Sequence, residues 1–279
     1  MQTRPNWGFR FFLISTTALL AVVVLGGCKH GNPLFDELVW NDEFNGNSIN
    51  GNNWTYDIGT GSTQGLIGWG NNELQYYTQR SENVRIENFP QGGRGLVIEA
   101  HREVYQGSSY TSARLKTQGL QTFTYGRIEA RIKLPVGTGL WPAFWMLGAN
   151  IEDVGWPICG EIDIMEYRGN DPSTILGTIH FGNPYGYRGQ DFSRNSFAQD
   201  FHIFSLEWTP GELRWYVDGI LYAIQRNWNS SLQGVNAPFD RPFFLLINLA
   251  IGGNFLPNPP PNANYFPQKL LVDWIRVYQ

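Results

Sequence analysis

Apolar residues along this chain recur mostly at every second position, in short segments broken by Gly, Pro and Asn. Arg127-Ile128-Glu129-Ala130-Arg131-Ile132-Lys133 alternates over its whole length, which predicts a half-buried strand. Within residues 213–224 the pair Asp218-Gly219 stands between two apolar runs. Both residues tolerate positive φ, so a hairpin is predicted there. Residues 39–41, 95–102, 175–181, 204–209, 243–250 and 270–279 are further strand candidates. Gly and Pro interrupt the chain too often for helices of ordinary length. Many short strands joined by such turns predict an all-β sandwich or barrel. Residues 37–279 show no internal repeat and no shift in composition, and the Pro-rich stretch 258–262 reads as a surface loop within one domain.

The N-terminal end departs from this pattern. Residues 11–25 form an apolar run behind Arg4 and Arg10, with only Ser15, Thr16 and Thr17 as polar breaks. That is signal-peptide length, short for a helix that spans a bilayer. The run ends Leu25-Gly26-Gly27-Cys28, small residues before a Cys, which resembles a bacterial lipobox. Residues 1–27 are therefore read as a lipoprotein signal peptide, with the lipid carried on the Cys28 thiol. Residues 28–36 read as a tether and 37–279 as the functional domain. Lys29, not Asp, follows the Cys, so a lipid-anchored position at the outer membrane is expected. A plain secretory signal with a fortuitous Cys is the alternative and would give a secreted protein. Cys159 is then the other thiol of the chain. It has no His placed to activate it and is read as buried and inert.

Composition narrows the class further. Charged residues are 16% of the 279 and aromatic residues 15%, so the chain packs rather than staying disordered. Removing residues 1–27 takes away two Arg and no acid, leaving 18 basic against 24 acidic side chains. There is no basic footprint for a nucleic-acid backbone. A monomer is expected.

Against so little charge, Glu161-Ile162-Asp163-Ile164-Met165-Glu166 places three acids within six residues. On a strand, Glu161 and Asp163 share a face. Glu166 joins them only if one extra residue, a β-bulge near Ile164–Met165, restores its parity. Two carboxyl groups flanking a scissile bond are what glycoside hydrolysis needs. A third between them can hold a proton or a hydrogen bond and keep their pKa values apart. A solvent-facing acidic strand and a Ca²⁺ site are the competing readings, although a strand does not readily supply the further oxygen ligands calcium wants.

The segment resembles the signature of glycoside hydrolase family sixteen in its bulged form, E-x-D-x-x-E. The likeness extends over most of 37–279. It includes Asn41-Asp42-Glu43-Phe44, Trp69-Gly70-Asn71-Asn72-Glu73, Ser112-Ala113-Arg114-Leu115, Trp141-Pro142-Ala143-Phe144-Trp145, Trp156-Pro157, Gly177-Thr178-Ile179-His180 and Val272-Asp273-Trp274-Ile275. These look like the laminarinase branch, the endo-β-1,3-glucanases. The extra Met165 argues against the licheninase branch, whose motif is shorter.

The resemblance implies a β-jelly-roll sandwich of two curved antiparallel sheets with an open concave cleft. It implies a retaining mechanism with Glu161 as nucleophile, Glu166 as acid/base and Asp163 as their assistant, and no cofactor for catalysis. It further implies that Trp141, Trp145, Trp156, Arg114, Asn71 and His180 contact β-glucan. Glu73 and Gln75 are weaker candidates for the same role. A neutral glucan suits aromatic platforms with a few hydrogen-bonding groups. Trp208, Trp215 and Trp274 are read as core. A structural calcium, with Glu43 and Asp273 among its ligands and backbone carbonyls near 93–95 supplying others, is carried over as a candidate. Mixed-linkage β-1,3-1,4-glucan, a marine galactan, or glucan binding without catalysis are the alternatives. Substrate length and linkage tolerance are expected to depend on loops 59–70 and 183–195.

Overall fold

The computed structural model describes Met1, residues 35–256 and residues 262–279. The signal peptide beyond Met1, Cys28, most of the tether and residues 257–261 of the Pro-rich stretch lie outside the described residues. Strands come in the order β1 (Leu38–Asp42), β2 (Thr55–Asp57), β3 (Gln75–Tyr77), β4 (Val84–Asn88), β5 (Arg94–Ala100), β6 (Tyr110–Ser112) and β7 (Arg114–Lys116). Then follow β8 (Gly126–Lys133), β9 (Leu140–Gly148), β10 (Glu161–Tyr167), β11 (Thr174–Phe181) and β12 (Gly186–Ser193). The last are β13 (His202–Thr209), β14 (Glu212–Val217), β15 (Ile220–Gln225), β16 (Phe243–Ile251) and β17 (Gln268–Tyr278). One short helix, α1 (Ile151–Val154), joins β9 to β10.

Two antiparallel sheets hold nearly all of these strands. One runs β15-β14-β13-β8-β17-β5-β4, with β1 also paired to β17. The other runs β12-β11-β10-β9-β16-β7-β2. β3 and β6 form a separate parallel pair. The elements follow from the pattern of the chain. β8 alternates as expected, with Ile128, Ala130 and Ile132 fully buried. The β14–β15 hairpin turns on Asp218 and Gly219, both at positive φ. β16 is buried at all nine positions, because it is central in its sheet and covered on both faces.

The sheets enclose one core. Phe144, Met146, Ile162, Ile164, Leu245 and Ile247 of the seven-stranded sheet meet Ile98, Ile132, Leu206, Trp208, Trp215 and Ile275 of the other. A smaller cluster of Leu147, Cys159, Phe244 and Leu246 packs with Ile151 and Val154 of the β9–β10 connection. Burial pushes the Cys159 thiol up to about 12, so it is inert at neutral pH, as expected.

Candidate active site

The bulge expected in β10 is present. Asp163 faces Trp145 and Glu166 faces Ala143 on β9, while on β11 the partners are Thr178 and Leu176. Three steps along β10 thus match two on each neighbour, so β10 carries one extra residue. Ile162, Ile164 and Met165 all enter the core, and the parity of Glu166 is restored. Glu161, Asp163 and Glu166 are brought together on the open face of the sheet. A contact from the opposite sheet holds the bulge. The buried Trp215 indole donates to the Asp163 backbone carbonyl at 2.9 Å. Gly177 makes room for it, since a Cβ there would lie 2.5 Å from Trp215 Cδ1.

Each acid has its own partners. Trp156 Nε1 donates to Glu161 Oε2 at 2.8 Å, and Trp141 Nε1 to Glu166 Oε1 at 3.2 Å. Thr178 Oγ1 reaches Glu166 Oε2 at 3.5 Å. His180 Nε2 lies 3.4 Å from Asp163 Oδ2 and 3.9 Å from Glu161 Oε1. Asp163 is also hydrogen-bonded to Glu161. Donor atoms of Glu161, Asp163 and His180 all fall within 4.8 Å of one another.

Burial pushes all three carboxyls up, since it penalises the charged form. The Asp163 charge adds to the rise at both glutamates, and Glu166 reaches about 8. His180 and the Trp156 N–H favour the ionised form of Glu161. Three carboxyls in so small a volume titrate as a set and do not all ionise together. The arrangement therefore retains at least one proton at neutral pH beside a carboxylate, which is the pairing that acid and nucleophile chemistry at one bond requires.

Residues 67–276 match the family described as glycosyl hydrolases family 16. The chain belongs to that family. It is 42% identical to a beta-glucanase from Rhodothermus marinus, over 100% of this chain and 99% of that protein. Among solved structures it resembles the endo-beta-1,3-glucanase from Pyrococcus furiosus, at 43% identity and a TM-score of 0.78, covering 87% of this chain and 94% of the other. It also resembles the laminarinase catalytic domain from Thermotoga maritima MSB8, at 45% identity and a TM-score of 0.77, covering 87% and 98%. The two large antiparallel sheets are the jelly roll of family 16, with the acids on the concave, open sheet.

Most of the other residues singled out from sequence lie on or beside β9, β16 and β7. Trp141 and Trp145 share a face of β9, as their spacing predicts, and both are half-buried. The Trp141 ring stacks on Phe255 with centroids 4.9 Å apart, so one of its faces is already covered. Trp145 Nε1 donates to Asn248 Oδ1 at 2.7 Å. Arg114 is only 8% exposed. Its Nε donates to Asp57 Oδ2 at 2.7 Å, and its guanidinium lies 3.9 Å from the centroid of the Trp69 ring. Asn71 Nδ2 donates to Glu73 Oε1 at 3.3 Å, and Glu73 Oε2 accepts from Gln75 and Tyr77. Asp57 and Phe255 were not picked out from sequence, and Asn248 and Thr178 lie in segments that match the family but were given no role of their own. Asp57 stands outside every motif, and only the β2–β7 register, which pairs it with Arg114, reveals its place.

The calcium expectation does not fit the donor set. Both carboxylate oxygens of Glu43 accept from Arg276, at 2.8 and 2.9 Å. Asp273 Oδ2 accepts from Arg131 at 2.6 Å, and the Gly93 carbonyl accepts the Phe89 N–H. The Arg276 pair holds the Glu43 carboxyl below its usual range. Arginine already supplies the positive charge that a cation would bring. A chelator such as EDTA is therefore expected to leave the melting temperature unchanged, as read by calorimetry, and a fall of several degrees would restore the calcium site.

Proposed function

We propose that this protein is a retaining endo-β-1,3-glucanase that cleaves laminarin-type glucan by double displacement. The observation that carries this reading is the bulge that puts Glu161, Asp163 and Glu166 on one open face. The names of the family 16 relatives support the substrate. Glu166, kept protonated by burial, donates its proton to the glycosidic oxygen as the bond to the anomeric carbon breaks. Glu161 attacks that carbon and forms a glycosyl ester. Glu166, now a carboxylate, takes a proton from water, and the water oxygen displaces Glu161. Asp163 shares a hydrogen bond with Glu161, and His180 lies against both. Trp145, Arg114 and Asn71 hold the glucan on one side of the acids, and Trp156 on the other. Trp141 orients Glu166 and offers the sugar its uncovered face. No cofactor enters these steps.

A product profile on laminarin, lichenan and agarose tests the reading. Oligosaccharides of several sizes are expected from laminarin from the earliest time points. Turnover of agarose with none of laminarin would overturn it.

The domain is further proposed to act as a monomer tethered by lipid on Cys28 to the outer membrane, on the strength of Leu25-Gly26-Gly27-Cys28. Mass spectrometry of the membrane-extracted protein should find an acylated Cys28 at the mature N-terminus. An N-terminus elsewhere would exclude the anchor.

A further inference from the structure

His180 and two of the acids are placed for a chemistry the reaction above does not use. His180 lies on β11 directly opposite Glu161 of β10, and register partners project to the same face. Its Nε2 is 3.4 Å from Asp163 Oδ2 and 3.9 Å from Glu161 Oε1. The Asp163 side chain is only 4% exposed, and its Oδ2 is buried without a hydrogen-bond partner. That oxygen faces the imidazole nitrogen. Solvent reaches the group through His180 and Glu161, which are less tightly covered. Among the described residues, His180 is the only ion-pair partner of Glu161 and Asp163. Glu43 and Asp273 differ, because arginine meets their charge.

One imidazole nitrogen and two carboxylates are the donors of a transition-metal site. Among the described residues this is the one group of three or more His, Cys, Asp and Glu whose donor atoms fall within 4.8 Å of one another. Zinc binds imidazole nitrogen and carboxylate oxygen at about 2.0–2.2 Å, so its tetrahedral ligand atoms stand about 3.3–3.6 Å apart. The His180–Asp163 separation already falls there, and a small turn of the Glu161 carboxylate closes the other. A metal on Nε2 requires the imidazole proton on Nδ1. The Tyr185 hydroxyl oxygen, 2.7 Å from Nδ1, accepts it. Such a partner fixes the ring and strengthens the ligating nitrogen. The other described histidines are engaged elsewhere. His101 Nε2 donates to the Glu82 carbonyl, and His202 shares Asp218 with Arg194. Mg²⁺ prefers an octahedron of oxygens, whereas imidazole suits zinc.

We propose that Glu161, Asp163 and His180 form a reversible Zn²⁺ site, with water in the fourth position, and that zinc bound there shuts the enzyme off. The ion holds the carboxylate that attacks the anomeric carbon, so zinc and glucan exclude each other. The site stands on its donor set, and its effect on turnover rests on the glucanase reading. Calorimetric titration of the metal-free full chain with ZnCl₂ tests it. Wild type should bind one more equivalent than His180→Ala, and MgCl₂ should not fill that equivalent. Tyr185→Phe keeps the ring but removes the acceptor for Nδ1–H, and should weaken that equivalent about tenfold. This second variant serves if His180→Ala fails to fold. In laminarin assays ZnCl₂ should raise the apparent KM of wild type without lowering kcat, and EDTA should restore it. Zinc stoichiometry and affinity that stay at wild-type values in His180→Ala, or in Tyr185→Phe, overturn the site. So does hydrolysis unaffected by saturating zinc. Zinc bound through His180 in a protein that hydrolyses no β-1,3-glucan overturns the glucanase reading and leaves the site standing.

Discussion

Glu161→Ser abolishes hydrolysis of laminarin and leaves its binding intact. The serine hydroxyl is too short to reach the anomeric carbon and is not ionised at neutral pH. The step that forms the glycosyl ester is lost, and with it on the order of 10⁴ or more in kcat, as when other catalytic nucleophiles are removed. Most of the groups placed to hold glucan do not depend on this side chain. Trp145 is oriented by Asn248 and Arg114 by Asp57. Only Trp156 loses its partner. Calorimetric titration with laminari-oligosaccharides should therefore give a Kd near the wild-type KM. Full activity in the variant would remove Glu161 from the nucleophile's role.

The second large effect is expected from Glu166→Gln. Glu166 acts as an acid only while protonated, and burial with the Asp163 charge raises it to about 8. The wild-type rate should fall as pH rises through that value, giving the alkaline limb of the kcat/KM profile. Gln cannot donate a proton to the glycosidic oxygen, so kcat on laminarin should drop by about 10³-fold. An aryl glucoside whose leaving group needs no proton should lose much less in the first step. The alkaline limb should vanish from the activity that is left. Stability should move the other way. A carboxyl raised from its ordinary 4.5 costs the folded state nothing below that value. The cost accumulates as pH rises from 4.5 towards 8, because the folded protein holds a proton the unfolded chain has released. Glu166→Gln should therefore raise the melting temperature at pH 8 and change it little at pH 4. An alkaline limb that persists in the variant would assign the proton to another group.

Much of the fold was legible because sheet periodicity is written locally. β8 and the β14–β15 hairpin could be read from alternation and from Asp218-Gly219 alone. β12 could not. Gly186-Tyr187-Arg188-Gly189-Gln190 has no apolar face, because an edge strand open to water needs none, and its pairing with β11 is set by tertiary register. The three acids were legible for a different reason. In a charge-poor chain their spacing demands a bulge if they are to meet, and the bulge is there. Asp57, and the role of Asn248, were hidden because each acts through a partner far along the chain. Asp57 meets Arg114 57 residues on, and Asn248 meets Trp145 103 residues back. Glu43 and Asp273 were carried over as calcium ligands from the family resemblance, and a matched segment does not report which arginine reaches each carboxylate. Arg276 and Arg131 take both carboxylates.

The hydrogen bond from Trp215 to the Asp163 carbonyl ties catalysis to the interior of the sandwich. An engineer who repacks that interior for heat resistance, or who fills the space at Gly177 with a Cβ, works on the core side of the sheet, behind the face that carries the acids. Such a change would nonetheless shift the backbone from which all three acids project. Selection on melting temperature alone would pass variants that are tougher and catalytically mute, so turnover has to be screened alongside it, even for positions no substrate touches.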